Sequence, residues 1–211
     1  MYAIIQLFMT CYLNNLGLVF GDATYLIQDM FFSLFLGLCI SNTPADDNLD
    51  AKLPPKRLFT FGLMAKLFAQ LAIFPLFQEI TLQALKTQDW YTQFEAGDDP
   101  LTVAWAAEES ALNIIALAQL MIASVVVTIG RPFRQPWYTN KWHLIVMLFQ
   151  AGYIFVLLFN DGTQGESFNR LVTNKPAPND FQGILIGLIA ANVVVSAVAT
   201  KLADLCFRFD E

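Results

Sequence analysis

The sequence predicts an all-α fold, a polytopic membrane helix bundle with six transmembrane helices in a single domain spanning residues 1–211. Three observations carry that expectation. Charged residues make up only 14% of the chain and hydrophobic ones 56%, with a mean hydropathy of +0.50, whereas soluble domains carry about 25% charged residues. Several apolar runs approach the roughly 20 residues that a helix needs to cross a bilayer. These runs lack the alternating pattern of a transmembrane barrel, and in lipid each backbone amide must find its partner within its own segment, so the runs are expected to be helices.

The expected spans are about 2–20, 24–42, 58–82, 110–130, 142–160 and 182–203. The first follows Met1 directly, with no basic leader of the kind a cleavable signal carries, and a helix beginning at residue 2 suggests a piece of something longer. Gly21 separates the first two runs, and Asp22 is placed to cap the second. Pro75 lies inside the third and is expected to kink it or end its regular part. Trp90, Tyr91 and Trp105 lie in the long 83–109 connection and suit a headgroup belt.

If the helices alternate, one side of the membrane holds Lys52, Lys56, Arg57, Arg131, Arg134, Lys141, Lys201 and Arg208, and the other holds Lys86, Arg170 and Lys175. Eight cations against three place the first group in the cytosol. Acids show the reverse bias: Asp89, Glu95, Asp98, Asp99, Glu108, Glu109, Asp161, Glu166 and Asp180 fall on the far side. They are either solvated loop residues or a negative mouth that gathers cations at long range.

Several function classes are unsupported. The net charge is −6 and no Arg-rich helix or basic patch points to nucleic acid. Cys11, Cys39 and Cys206 form no CxxC pair and read as structural thiols, and His143 is the one histidine, too few ligands for a transition-metal site. No Gly-rich phosphate loop or nucleophile–base signature is present, so no residue is assigned a catalytic or metal-binding role.

The stretch GDATYLIQD, residues 21–29, breaks the apolar pattern with two acids. Ionisable groups inside a span are rare and commonly face a cavity or a partner. Asp22 and Asp29, seven residues apart, project from one face of an α-helix at an axial separation of about 10.5 Å. Tyr25 shares that face and can set its ring against a cation, while Tyr2 and Gln6 give the preceding helix a polar side. Two acids so far apart suit an elongated polycation better than a compact Ca²⁺ or Mg²⁺ site, whose oxygens converge on one point. The competing reading pairs Asp29 with a cation inside the bundle, such as Lys66, which can otherwise snorkel to the surface.

MYAIIQ, then GDATYLIQD, then GRPFRQPWYTN after the fourth span resemble the C-terminal membrane half of the fifth class of P-type ATPases. The B subgroup, polyamine-transporting pumps of late endosomes, lysosomes and vacuoles, is the most similar. Its members carry a YxxxQ helix, an NLGDxQFLxxD-like turn and helix, and a KPFRQPxYxN-like cytosolic loop. The resemblance extends over all six expected helices, the fifth to tenth of the pump, although 43–109 and 160–181 match in layout alone. It implies that Tyr2, Gln6, Asp22, Tyr25 and Asp29 line a polyamine route. Two departures fall in the motif itself, with Val19-Phe20 in place of Asn-Leu and Thr24-Tyr25 in place of Gln-Phe.

It also implies ATP and Mg²⁺ as cofactors of a complete pump, with the first helices and the cytosolic phosphorylation, nucleotide and actuator domains as partners outside this chain. The expected setting is an endosomal, lysosomal or vacuolar membrane. The A subgroup, which extracts misinserted helices at the endoplasmic reticulum, shares the layout. A rival from another class is a stand-alone six-helix structural or assembly protein with Asp29 in an internal ion pair.

Overall fold

Seven α-helices form among the residues that the computed structural model describes, 1–47, 61–93, 106–126, 128, 133–160 and 178–206. They are α1 (Tyr2–Asn15), α2 (Asp22–Leu26), α3 (Phe35–Ser41), α4 (Phe61–Lys86), α5 (Ala107–Val126), α6 (Lys141–Phe159) and α7 (Asn179–Cys206). A π-helical segment, Ile27–Leu34, joins α2 to α3, so the three make one span from Asp22 to Ser41. Among the described residues, five helices are long and apolar enough to cross a membrane, which makes this a polytopic helical membrane bundle.

The first expected span is the one that differs. α1 has 14 residues, about 21 Å at 1.5 Å per residue and short of the roughly 30 Å hydrocarbon core. It ends early because Gly17 adopts φ +75°. The Leu18 amide then donates to Leu13 O at 2.9 Å and the Gly17 amide to Asn14 O at 3.1 Å, the two bonds that close a helix with a left-handed glycine. Pro75 does not end α4, which continues through it to Lys86.

The bundle is built around α5. Of its membrane window 78% is buried, against 17 to 28% in the other four spans, and it packs against α1, α3, α4, α6, α7 and the π-helical segment, with α2 joined to it through Thr24. A helix enclosed by protein can carry polar groups on every side, provided that each finds a partner. Gln119 on α5 accepts from Gln78 at 3.0 Å and donates to Phe74 O at 2.9 Å, both on α4. Ser124 meets His143 of α6 at 3.2 Å. On the other flank of α4, Gln70 donates to Ser196 O of α7 at 3.2 Å. Apolar side chains fill the space between these bonds, with Met9, Phe32, Leu85, Leu112, Ile115 and Leu117 all fully enclosed.

The connections sort to two ends, as strict alternation requires. At one end, residues 43–47 run beside 133–135: Gln135 N donates to Pro44 O at 3.1 Å, Asp46 N to Phe133 O at 3.3 Å, and Ala45 bridges Arg134. Asn140 completes the junction, since its side chain caps α6 by accepting from His143 N at 3.2 Å and donates to Cys39 O at 2.7 Å. At the other end Trp90 packs edge-on against Phe181 with ring centres 5.7 Å apart, so it belongs to the packing as well as to any headgroup belt. Trp105 and the cations Lys52, Lys56, Arg57, Arg131, Arg170, Lys175 and Arg208 lie outside the described residues, as do Glu95, Asp98, Asp99, Asp161 and Glu166.

Replacing Asn140 by Ala removes a helix cap and one of the two donors to Cys39 O, which keeps the Asn42 amide, at a cost of about 1–2 kcal/mol. The purified chain should therefore unfold at a lower temperature than wild type, whereas Tyr138→Ala, at a 59% exposed position, should change the midpoint little.

Candidate functional site

The span that carries the acids has two unlike faces. Thr24, Gln28, Phe32 and Leu36 are buried, while Asp22, Leu26, Met30, Leu34 and Leu38 are exposed. Both stripes advance by four residues. In a 3.6-residue α-turn such a step overshoots by about 40°, and three of them by about 120°. The i→i+5 turns of a π-helix are wider, and the segment Ile27–Leu34 absorbs that overshoot, so both stripes stay straight. The uniform α-helix assumed from sequence is thus replaced by a wide coil, and Asp29 sits within it.

The inner stripe is held by hydrogen bonds. Thr24 Oγ1 donates to Glu109 Oε1 at 3.0 Å, and Gln28 Nε2 donates to Asn113 Oδ1 at 2.9 Å. Gln28 also lies 4.0 Å from the sulfur of Met9 on α1. Further along, Gln150 of α6 donates to Phe31 O at 2.7 Å and lies 3.5 Å from Phe32 O. The ring of Tyr153 packs edge-on against Phe31 and Phe32, with centres 6.1 Å away in each case.

The outer face carries both acids. Asp22 and Asp29 are exposed on the flank of the bundle and Tyr25 is half-buried. The N-cap of α2 is Gly21 and no side chain caps that end, so the capping role considered for Asp22 is not realised. Its carboxylate does sit in the first turn, where the helix dipole favours negative charge. The internal ion pair considered for Asp29 is also not realised, because Lys66 bonds Asp204 of α7 and Asp29 makes no ion pair among the described residues. Tyr25 sets its ring edge-on to Phe20, centres 5.5 Å apart. Tyr2 and Gln6 are half-buried on α1, and among the described residues no hydrogen bond or ring contact ties them to Asp22, Tyr25 or Asp29. The structure groups those three residues on one span and leaves Tyr2 and Gln6 on a separate helix.

Two acids behave unlike their sequence reading. Glu108 and Glu109 open α5 and are 2% and 0% exposed, neither solvated loop residues nor part of an open mouth. Glu108 accepts from the hydroxyl of Tyr91 at 2.6 Å, and Glu109 is the anchor for Thr24. The polar positions 108, 109, 110, 113, 119 and 124 spread over about 200° of α5 at 100° per residue, more than half of its circumference. That pattern marks a helix enclosed by protein, and it was visible in the sequence. The cysteines also divide, with Cys39 buried and Cys11 and Cys206 exposed.

An apolar span that shows ionisable carboxylates on its outward side while bonding inward through Thr24 and Gln28 can attract cationic groups at that side. Fold and site together define a multi-pass helical membrane protein with a negatively charged flank. No family model matches the chain. Curated relatives do: it is 26% identical over 97% of its length to human polyamine-transporting ATPase 13A3, and 24% identical over 98% to mouse polyamine-transporting ATPase 13A2. The vacuolar cation-transporting ATPase YPK9 of Saccharomyces cerevisiae is 22% identical over 91%. Over nearly its whole length the chain is thus similar to P-type ATPases described as carrying cations or polyamines, and the resemblance seen in its motifs is borne out. It spans 13 to 18% of the length of these three relatives.

Tyr91 offers a titration test outside the spans. Burial, the bond to Glu108 and the charge of that carboxylate push its phenol above the ordinary value of 10.0. A raised value means that its stabilising effect is complete below pH 10 and is lost as pH rises past it, because the unfolded chain ionises first. Tyr91→Phe should melt below wild type at pH 7, and the gap should narrow above about pH 10. A gap that widens with pH would contradict the assignment.

Proposed function

We propose that this chain is the membrane-spanning transport part of a P-type cation- or polyamine-translocating ATPase and supplies one wall of its substrate route. The observation that carries the reading is the outward exposure of Asp22 and Asp29 on a span otherwise suited to lipid. A carboxylate facing hydrocarbon is costly, and intramembrane acids commonly face a bundle interior or a water-filled cavity. A face of this kind suits closure by further helices, with a wet passage between. Relatives more than five times longer than this chain, named as polyamine- or cation-transporting ATPases, support that completion.

In this reading an elongated amine lies along the helix. Two carboxylates set apart on one side meet separated ammonium groups, and the aromatic ring of Tyr25 offers a cation–π contact between them. Both acids lie toward the end where Thr24 meets the start of α5, the end that the charge bias of the loops assigns away from the cytosol. Amines therefore enter there and move toward the cytosol. Tyr2 and Gln6 extend the route along α1. ATP and Mg²⁺ act in cytosolic domains outside this chain, and their cycle drives alternation of access. The setting is an endosomal, lysosomal or vacuolar membrane.

In the complete protein Asp29→Asn should abolish polyamine-stimulated ATP turnover while leaving expression and membrane insertion intact. Stimulation equal to wild type would overturn the proposal.

A further inference from the structure

We propose that the groove between α1 and α4 seats a single-chain amphiphile with a protonated amine head. Glu79 and Tyr12 hold the ammonium, and the tail lies toward the membrane centre. The site is separate from the face that carries Asp22 and Asp29 and does not rest on the route reading.

Glu79 is an acid inside the α4 span that the packing does not neutralise. It is half-buried, Gln83 one turn on donates to its Oε1 at 2.7 Å, and it makes no ion pair among the described residues. Intramembrane acids commonly face a cavity or pair with an opposite charge. With 26 residues, α4 is about 39 Å long and overhangs a hydrocarbon core of about 30 Å. Glu79 stands about 10.5 Å from the Lys86 end, so it lies nearer the membrane boundary than the centre.

Beside it, toward the centre, runs a narrow apolar groove. Ile4, Ile5 and Phe8 line it from α1, and Leu71, Pro75 and Gln78 from α4. Both sets step by three or four residues, the spacing of neighbours on one helical face. One turn further on, both stripes become polar, since Tyr12 follows Phe8 and Glu79 follows Pro75. The Tyr12 hydroxyl reaches across to Pro75 O at 3.5 Å, and the charge of Glu79 acts on its phenol. Ring and carboxylate thus close the same end of the groove.

Gln78 asks for a donor as well. Phe74 O can only accept, so Gln119 turns its amide nitrogen to that carbonyl and its own oxygen to Gln78, which must donate in turn. Gln78 is fully buried, and its Oε1 is left with no donor. Every polar group offered at this end is therefore an acceptor, one of them a carboxylate. A phosphate or sulfate head would be repelled. An ammonium carries three donors and can serve both oxygens, while the Tyr12 ring adds a cation–π contact. Toward the centre about two turns of apolar lining, roughly 10 Å, suit an alkyl tail and offer nothing to a second ammonium. The order of head and tail matches a lipid of the leaflet on the Trp90 side.

The complete protein in phosphatidylcholine nanodiscs is photolabelled with a long-chain alkylamine that carries a diazirine in its tail, and labelled peptides are mapped by mass spectrometry. Label should fall on the α1 and α4 stripes. Unlabelled alkylamine should compete about tenfold better than the alcohol of the same chain length, as the loss of one charge-assisted hydrogen bond implies. Glu79→Gln should lower labelling by a similar factor and erase the preference for the amine, while Asp29→Asn leaves labelling unchanged. Should Glu79→Gln fail to assemble, Leu71→Trp, which fills the groove with a bulkier ring, should remove the label.

Label that misses both stripes, as expected if a further helix of the complete protein covers the groove, overturns the proposal. So does equal competition by amine and alcohol, which would leave an apolar seat alone. Labelling that Asp29→Asn abolishes would put the amine on the other flank and also overturn it.

Discussion

Two hydrogen bonds, Thr24 to Glu109 and Gln28 to Asn113, decide which side of the acid-bearing span faces inward. Each places a polar side chain among apolar neighbours, where a lost partner would cost about 1–3 kcal/mol. With Thr24 and Gln28 turned toward α5, Asp22 and Asp29 face away from it. The outward charge is thus a consequence of inward bonding. α5 can serve as the anchor because it is enclosed nearly all round, and a helix so enclosed tolerates a carboxylate such as Glu109 that a lipid-facing helix would not.

The same economy of polar groups recurs through the bundle. Lipid supplies no strong hydrophobic drive between helices, so association leans on packing and on interhelical hydrogen bonds. Gln70, Gln78, Gln119, Ser124, Asn140 and Gln150 each cross from one helix to another. Around them the exterior stays apolar, with Leu148, Phe149 and Val194 typical of the outer surface. Asp22 and Asp29 interrupt that surface, and this separates them from the acids of the loops.

Much of this was legible in the residues. Apolar run length located five of the spans, and rarity of charge singled out GDATYLIQD. The end of α1 was misplaced because Gly17 and Leu18 look apolar enough to continue a run, whereas the glycine's backbone closes the helix. Glu108 and Glu109 were placed with the loops because each reads as solvated when taken alone. Their burial follows from α5 being the axis, a tertiary fact that composition does not specify, although polar residues spread over more than half of its circumference were a usable sign. The π segment was overlooked for a related reason. An α-helix is the default for an apolar run, yet the four-residue stride of Thr24, Gln28, Phe32 and Leu36 departs from it, and Gln150 interrupts an otherwise apolar α6.

The account stands on the acidic flank opening onto water. The most direct measurement is the reaction of Asp29→Cys with a charged, water-soluble thiol reagent, in an otherwise cysteine-free complete protein held in lipid. The account requires rapid modification that spermine slows, since the amine would occupy the same passage. Modification by lipid-soluble reagents alone, or a rate indifferent to spermine, would contradict it.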